Sequence, residues 1–399
     1  MEHNILQSVD LRALGQELQK ARINRGLTQE QAASAIDVAR TTIVAIEKGE
    51  RRVKADELIK LAEIYGRQIS DLLPLRPQVN PFQPRFRAYH QLSEADRSSI
   101  EPYVNELEDL ARNYVELEQL VKSPLVQRHH EHDISNLSPE QAAQGVAQEE
   151  RNQLGLGDGP VPFLRSVLEQ DVGLRVFYLS LPYKFSGFYC YDRQVGGCIA
   201  VNSQHPAERR LWTLAHEYAE FLVDRNNVDV LVENGYTRRP AKERFADEFA
   251  RHFLMPASGL TRRFNDIRRT KGTVTPADLI TLAHYYAVSF EALTRHLEDL
   301  RLLPTGTWDK LRLGKFKVRE AQQQLGLNQD SEDNSRLPQR YTDLATIALD
   351  HELITEGHYA RLLGVDRIEA RRIARQTRQR IASLADGLRN LDLTQSIGN

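Results

Sequence analysis

The chain has 399 residues, of which 41% are hydrophobic and 27% are charged, and its formal net charge is -2 at pH 7. This composition is typical of a soluble globular protein and predicts two to four folded domains, each with its own core. It also excludes a uniformly basic nucleic-acid coat, so any DNA contact must be concentrated on a local basic face.

The sequence contains two cysteines, Cys190 and Cys198, on either side of a predicted turn. Two thiols do not make a disulfide scaffold, and we interpret them as buried free thiols in a reducing compartment. No segment has the apolar run of a membrane span, and the N-terminus lacks a basic region followed by an apolar stretch. We therefore expect a cytoplasmic protein with no membrane partner.

Residues 11–73 carry apolar side chains at helical spacing, interrupted at Gly26, Asp37 and Gly49, which predicts five short helices. Thr28 is a typical N-cap for the segment TQEQAASAI, and the turn IDVA leads into RTTIVAIEKG, which Gly49 closes. Two helices joined by a tight turn indicate a helix-turn-helix.

The second helix of this motif would begin with Arg40, Thr41 and Thr42, where side chains can reach base edges in a major groove. Ile43 and Ile46 would face the core. Four further residues are placed to bind phosphates: Gln29, Lys48, Arg51 and Arg52. The alternative is a helical bundle that serves only protein contacts or dimerisation.

The segment LTQEQAASAIDVARTTIVAIEKGERRVKADELIKLAEIYG resembles the XRE/Cro/cI repressor family. The resemblance implies that Gln29, Arg40, Thr41 and Thr42 contact double-stranded DNA. Ala45 replaces a position that is often polar in the family, so its base contact would be limited to a thymine methyl group. Repressors of this type usually dimerise, which implies a homodimer.

Several prolines between residues 74 and 84 predict a linker, followed by a long connecting helix in ADRSSIEPYVNELEDLARNYVELEQLV that could carry a dimer contact. The local cluster of His129, His130 and His132 is interpreted as a polar hinge. After a predicted helix near residues 139–154, the segments LRVFYLSL, FSGFYCYD and GGCIAVNS predict a small antiparallel sheet.

The segment TLAHEYAEFLVD follows this sheet and contains half of the motif H-E-x-x-H. His216 and Glu217 stand where a metal ligand and a general base would, but Glu220 replaces the second histidine. Positions i and i+4 share one face of a helix, so His216 and Glu220 can address the same ion.

A second helix, AKERFADEFARHFLMP, carries Glu243 and Asp247 at the same spacing. We predict that His216, Glu220 and Glu243 surround an ion, with Glu217 beside its water and Asp247 behind His216. One nitrogen and two carboxylates favour harder ions such as Mn²⁺ or Mg²⁺ over zinc, and zinc and a metal-free site are the alternatives. On spacing alone, these groups could also be solvent-facing charges.

Residues 139–303 resemble the ImmA/IrrE metallopeptidase family through GGCIAVNSQHPAERRLWTLAHEYAEFL, ERFADEFARHFLMP and TPADLITLAHYYAVSFEALTRHLEDL. Family members commonly cleave, or trigger loss of, a helix-turn-helix repressor during stress or mobile-element induction. The resemblance matches at His216, Glu217, Glu243 and Asp247. It departs at Glu220, which leaves tight zinc binding and proteolysis open.

Beyond a polar segment near residues 326–336, the string ITEGHYARLLGVDRIEARR is again shaped like a helix-turn-helix. The last helix would carry a basic face. Its arginines are Arg367, Arg371, Arg372, Arg375, Arg378 and Arg380. A solvated face is the main interpretation, and phosphate contact or protein docking are the alternatives.

These patterns predict a mainly α protein with a small antiparallel sheet (α+β). The expected domains are a five-helix DNA-binding bundle (1–75), a linker with a connecting helix (76–138), a zincin-like domain (139–303) and a C-terminal helical domain (304–399). The expected function is DNA-binding transcription regulation with a degenerate HExxE module that senses or regulates. The alternative is an active metallopeptidase that cleaves a helix-turn-helix repressor, which would then be a partner.

Overall fold

The structure, a computed structural model, describes residues 11–67, 72, 93–126, 128, 132, 138–161, 163–192, 195–223, 230–232, 241–314, 316–327 and 335–390. The chain divides into two compact units, one formed by residues 1–81 with 345–399 and the other by residues 82–344. No helix of the described ranges is both long and apolar enough to cross a bilayer.

The N-terminal bundle contains four described helices: α1 (Leu11–Asn24), α2 (Gln29–Ala35), α3 (Arg40–Glu47) and α4 (Ala55–Tyr65). Their inward faces form one apolar core that includes Leu18, Ile43 and Leu61. The predicted fifth helix falls largely outside the described residues, although Leu72 belongs to the same core.

The start of α2 and the end of α3 follow the predicted chemistry. The Thr28 side chain accepts a hydrogen bond from the backbone N–H of Gln31, and the Gln31 side chain accepts one from the Thr28 N–H, which makes a capping box. Gly49, at φ 73°, ends α3 and donates its N–H to the Ile46 carbonyl at 3.0 Å. The left-handed backbone conformation at this position favours glycine, because a residue with a Cβ would be strained there.

The second unit begins with helices and then forms its sheet. Before the sheet lie α5 (Glu94–Leu120), α6 (Pro139–Gln153), α7 (Leu164–Val167) and a π-helical turn (Leu168–Val172). The strands are β1 (Arg175–Leu179), β2 (Phe185–Asp192), β3 (Gly196–Asn202) and β4 (Val230–Val232).

The sheet has the order β1-β3-β2-β4, and its pairing is mixed. The β2–β3 and β2–β4 pairs are antiparallel as expected, whereas β1 pairs with β3 in parallel. The expectation of a purely antiparallel sheet was therefore wrong for β1, because this strand adds to the far side of the β2–β3 hairpin. Cys190 and Cys198 lie opposite each other in that hairpin and are free and buried.

Helices complete both units. In the second unit these are α8 (Ala207–Val223), α9 (Ala241–Leu254), α10 (Ala257–Lys271), α11 (Pro276–Tyr285), α12 (Phe290–Asp299), α13 (Thr307–Leu313) and α14 (Val318–Gln324). Next, α15 (Gln339–Asp350) spans the boundary between the units, and α16 (Glu356–Leu363) and α17 (Arg367–Asn390) belong to the first unit. The mainly α architecture with one small sheet confirms the predicted fold class.

Candidate metal centre and DNA-binding helix

Helix α8 carries His216, Glu217 and Glu220 on its inner side. His216 and Glu217 are each only 1% exposed, and Glu220 is 7% exposed. An isolated buried carboxylate is costly unless a cation or a hydrogen bond compensates it. Two buried carboxylates and one buried imidazole therefore lie within five residues, where a positive charge would be stabilised.

Helix α9 brings the other two acidic residues to the same place. Its apolar face packs against α8, where the ring of Tyr218 meets Phe249 and Phe253 edge-on at 5.8 Å between centroids in each case. This contact fixes the two helices side by side. Glu243 and Asp247, one turn apart on α9, consequently face His216.

The three predicted ligands converge in space. Nε2 of His216 lies 3.8 Å from Oε1 of Glu220 and 3.6 Å from Oε2 of Glu243. Ligand atoms of these three residues all lie within 4.8 Å of one another, a spacing that a single ion could bridge. The described residues can therefore hold a metal ion here.

The orientation of His216 is set by Asp247. Nδ1 of His216 donates to Oδ1 of Asp247 at 3.1 Å, which leaves the Nε2 lone pair for the side of Glu220 and Glu243. Nε2 is buried and has no hydrogen-bond partner among the described residues. A buried nitrogen that faces two carboxylates is the atom a cation would satisfy.

The electrostatic environment of His216 is strongly negative. Burial alone would lower its pKa, but the hydrogen bond to Asp247 and the charges of Glu217, Asp247 and Glu243 together raise the pKa above its usual value. The same negative field attracts a metal ion. The residues present fit a divalent cation, and the set of one imidazole and two carboxylates is harder than a two-histidine set.

Gly187 also shapes the candidate metal centre, although it was not among the predicted site residues. A Cβ at Gly187 on β2 would lie 2.6 Å from Cγ2 of Thr213, 2.7 Å from the Ala200 carbonyl oxygen and 3.4 Å from Oε1 of Glu217. Only glycine lets β2 approach α8 this closely. A glycine inside the strand pattern FSGFYCYD was the available signal, because it often marks close backbone approach.

In the N-terminal bundle, helix α3 begins at Arg40 as predicted. The Arg40 side chain is 61% exposed, Thr41 is exposed and Thr42 is half-buried. Ile43 and Ile46 are buried at 1% and 2% exposure. The start of α3 therefore presents polar side chains outward from a helix anchored by its apolar face.

The four predicted phosphate contacts differ in their surroundings. Lys48 and Arg52 are exposed at the end of α3 and beyond it. Nε2 of Gln29, in contrast, donates to Oε2 of Glu47 at 2.9 Å. Arg51 donates from NH1 and NH2 to the two carboxylate oxygens of Glu57 at 3.0 and 2.8 Å, so a phosphate would have to compete with this pair.

Two family models match separate parts of the chain. A helix-turn-helix model matches residues 18–72, and a model of the IrrE N-terminal-like domain of the M78 peptidases matches residues 169–298. The chain is 37% identical over 57 residues, 14% of its length, to the cryptic phage CTXphi transcriptional repressor RstR of Vibrio cholerae. The chain spans about half the length of that curated relative, 51%.

A comparison with solved structures gives a weaker match. The crystal structure of Bacillus thuringiensis PlcR in complex with the peptide PapR7 and DNA aligns with 94% of this chain and 98% of that chain. The sequence identity is 14% and the TM-score is 0.18, which is too low to indicate a shared fold.

Proposed function

We propose that the chain is an XRE-type regulator that binds duplex DNA through α3, and that its IrrE-like domain controls this binding through one divalent cation. The matches of separate parts of the chain to a helix-turn-helix model and to an IrrE N-terminal-like model support this proposal, as does the similarity to a phage repressor. The function of the second domain is then regulatory. A homodimer would place two copies of α3 in successive major grooves.

The geometry around His216 supports the cation-binding part of the proposal. Nε2 of His216 faces Glu220 and Glu243 at 3.8 and 3.6 Å, while Asp247 holds the other ring nitrogen. Glu220 therefore stands as a candidate ligand in place of the missing histidine. A bound ion would supply positive charge that stabilises the buried carboxylates, and Mn²⁺ fits this donor set better than Zn²⁺.

The DNA-binding part can be tested on sites selected from a random duplex pool. Arg40→Ala should reduce the discrimination between a selected and a scrambled duplex by about 10- to 100-fold, since one good base contact contributes about 1–3 kcal/mol. Fluorescence anisotropy with the full chain measures both affinities. Arg312→Ala, which removes an exposed arginine from α13, is the matched control. Unchanged discrimination in Arg40→Ala would refute the assignment of α3.

The regulatory part can be tested on the same duplex. We expect the affinity of the parent to change between EDTA and added Mn²⁺, and we expect His216→Ala to show one affinity under both conditions. Arg40→Ala should keep the metal response even though its discrimination is impaired. A parent that binds the ion without any change in DNA affinity would contradict the regulatory proposal.

Metallopeptidase activity is the second candidate, and the buried carboxylate of Glu217 beside His216 favours it. In this case, the protein would cleave a helix-turn-helix repressor, and Glu217 would remove a proton from the attacking water. Incubation with a purified repressor separates the candidates. Cleavage by the parent that is lost in Glu217→Gln, with metal content unchanged, would replace the regulatory proposal.

A further inference from the structure

Among the residues that the structure describes, three helix–turn–helix connections share one backbone pattern. In each, a threonine caps the N-terminus of the first helix, and a residue with left-handed backbone conformation follows the C-terminus of that helix. The valine immediately after this residue donates its N–H to the carbonyl of an alanine five residues earlier. The three sets are Thr28, Ala33, Asp37 and Val38; Thr275, Ala283, Ala287 and Val288; and Thr355, Ala360, Gly364 and Val365.

The geometry of the three turns is closely similar. The valine N–H bonds measure 3.0, 3.0 and 3.1 Å, and the left-handed residues have φ of 58°, 53° and 68°. In every case the second helix starts three residues after the left-handed residue, at Arg40, Phe290 or Arg367. The first and last turns also agree in the spacing from the threonine cap to the left-handed residue.

The middle helix-turn-helix segment is the most acidic of the three. Residues 275–300 contain one arginine, Arg295, and four acidic residues. The second helix of this segment is also packed inside the second unit. Nε2 of His296 donates to the Met255 carbonyl at 3.0 Å, and the Phe290 ring contacts Trp308. The middle turn is therefore a structural element of the second unit.

The last helix-turn-helix segment has a net positive charge. Residues 355–380 contain seven arginines and three acidic residues. Ala370, Ala374 and Thr377 are buried and follow one another at helical spacing, so they form the inner face of α17. The exposed side carries Arg367, Arg371, Arg372 and Arg375 together with Ile368, which is 81% exposed.

We propose that α16, its turn and α17 form a second duplex-DNA-binding helix-turn-helix. Superposing the two sequences on their matched turns places Arg367 on the position of Arg40, and Arg371 and Arg372 on those of Val44 and Ala45. These are outward positions of the helix that enters a major groove. Guanidinium groups there can bind phosphates and guanine edges, and Ile368 can contact a thymine methyl group.

Existing ion pairs on this face do not oppose the assignment. Arg371 pairs with Glu356, Arg372 with Glu369 and Arg378 with Asp350, and these arginine side chains are 51–67% exposed. Exposed pairs of this kind contribute about 0–1 kcal/mol, so a phosphate can displace the carboxylate. The matched turn and the excess of arginine favour DNA over an acidic protein surface.

The test uses the full chain with α3 disabled by Arg40→Ala and Thr41→Ala, so that failure of the first DNA-binding motif does not decide the outcome. The probe is a 30-bp mixed-sequence duplex, titrated at several salt concentrations. Replacing Arg367, Arg371 and Arg375 with glutamine should lower the affinity at least about tenfold and reduce the slope of log K against log salt by roughly 2.7, about 0.9 for each lost phosphate contact.

Two further variants distinguish charge from folding. Glutamine at Arg268, Arg269 and Arg312, which are exposed in the second unit, removes the same charge and should leave affinity and slope unchanged. Lysine at Arg367, Arg371 and Arg375 should restore most of the salt slope. Equal behaviour of the two glutamine triples would overturn the proposal, as would a lysine triple as weak as the glutamine one. An effect confined to single-stranded RNA of the same sequence would assign the face to RNA and also overturn it.

Discussion

Replacing Glu47 with alanine should remove most of the stability of the N-terminal bundle. Glu47 is the last residue of α3, and its side chain is 2% exposed. Its carboxylate accepts from Nε and NH2 of Arg22 on α1 at 2.5 and 3.0 Å and from Gln29 on α2 at 2.9 Å. One carboxylate thus joins three helices around the recognition turn.

The expected magnitude follows from the burial of this network. Removing one partner of a buried ion pair leaves an uncompensated charge and costs about 3–5 kcal/mol. A bundle of this size has a total stability of about 3–9 kcal/mol at roughly 0.05–0.15 kcal/mol per residue. Glu47→Ala should therefore bring the bundle close to its unfolding midpoint.

Hydrogen exchange of the full chain, followed by mass spectrometry, measures this change locally. Amide protection in peptides from α1 to α3 should fall by about 100- to 3,000-fold, since about 1.4 kcal/mol corresponds to a factor of ten. Glu17→Ala is the control, because it breaks an exposed pair with Lys20 and should cost less than about 1 kcal/mol.

A double replacement distinguishes the loss of a charge partner from the loss of side-chain volume. Arg22→Met with Glu47→Leu removes both charges and should restore most of the protection, because apolar residues of similar volume often replace a buried pair without loss. Protection in Glu47→Ala that matches the Glu17→Ala control would refute the account of this network. A double variant as unstable as the single one would show that shape, not charge, determines the cost.

Three further predictions concern the N-terminal bundle and the candidate metal centre. The hydrogen bond from Arg51 holds the pKa of Glu57 below 4.5, so the pair stabilises the bundle above that pH, and this contribution is lost as the pH falls through the lowered value. Amide protection factors of the bundle, which are corrected for the intrinsic exchange rate at each pH, should fall less between pH 7 and pH 3 in Glu57→Gln than in the parent. Gly187→Ala should destabilise the fold by about 1–3 kcal/mol through overpacking, and this should lower the thermal midpoint. Gly145→Ala is the control and should not lower the midpoint, because a Cβ there meets nothing within 4 Å. Asp247→Asn should weaken metal binding about 10- to 100-fold in a calorimetric titration, because the His216 ring loses its orienting acceptor; an unchanged affinity would show that Asp247 does not position the ring.

Local signals in the sequence predicted much of the DNA-binding motif. Thr28 and Gly49 fix the ends of the two helices by backbone hydrogen bonding, which depends on residues within a few positions of each other. The spacing of His216 to Glu220 and of Glu243 to Asp247 also predicted which side chains share one face of each helix.

Contacts between distant segments were not readable in the same way. The parallel β1–β3 pair depends on which side of a hairpin a strand joins, and strand periodicity is identical for both choices. The pairing of Arg51 with Glu57 depends on the angle between α3 and α4. The importance of Gly187 depends on the distance between β2 and α8, which no single segment encodes.

We propose that His216, Glu220 and Glu243 hold one divalent cation. Isothermal titration of the EDTA-treated full chain with Mn²⁺, and separately with Zn²⁺, measures this binding. We predict one ion per chain for the parent and none for His216→Ala or Glu243→Gln. No stoichiometric binding by the parent, combined with binding gained in Glu220→His, would contradict the claim and show that the site lost its ion with its second histidine.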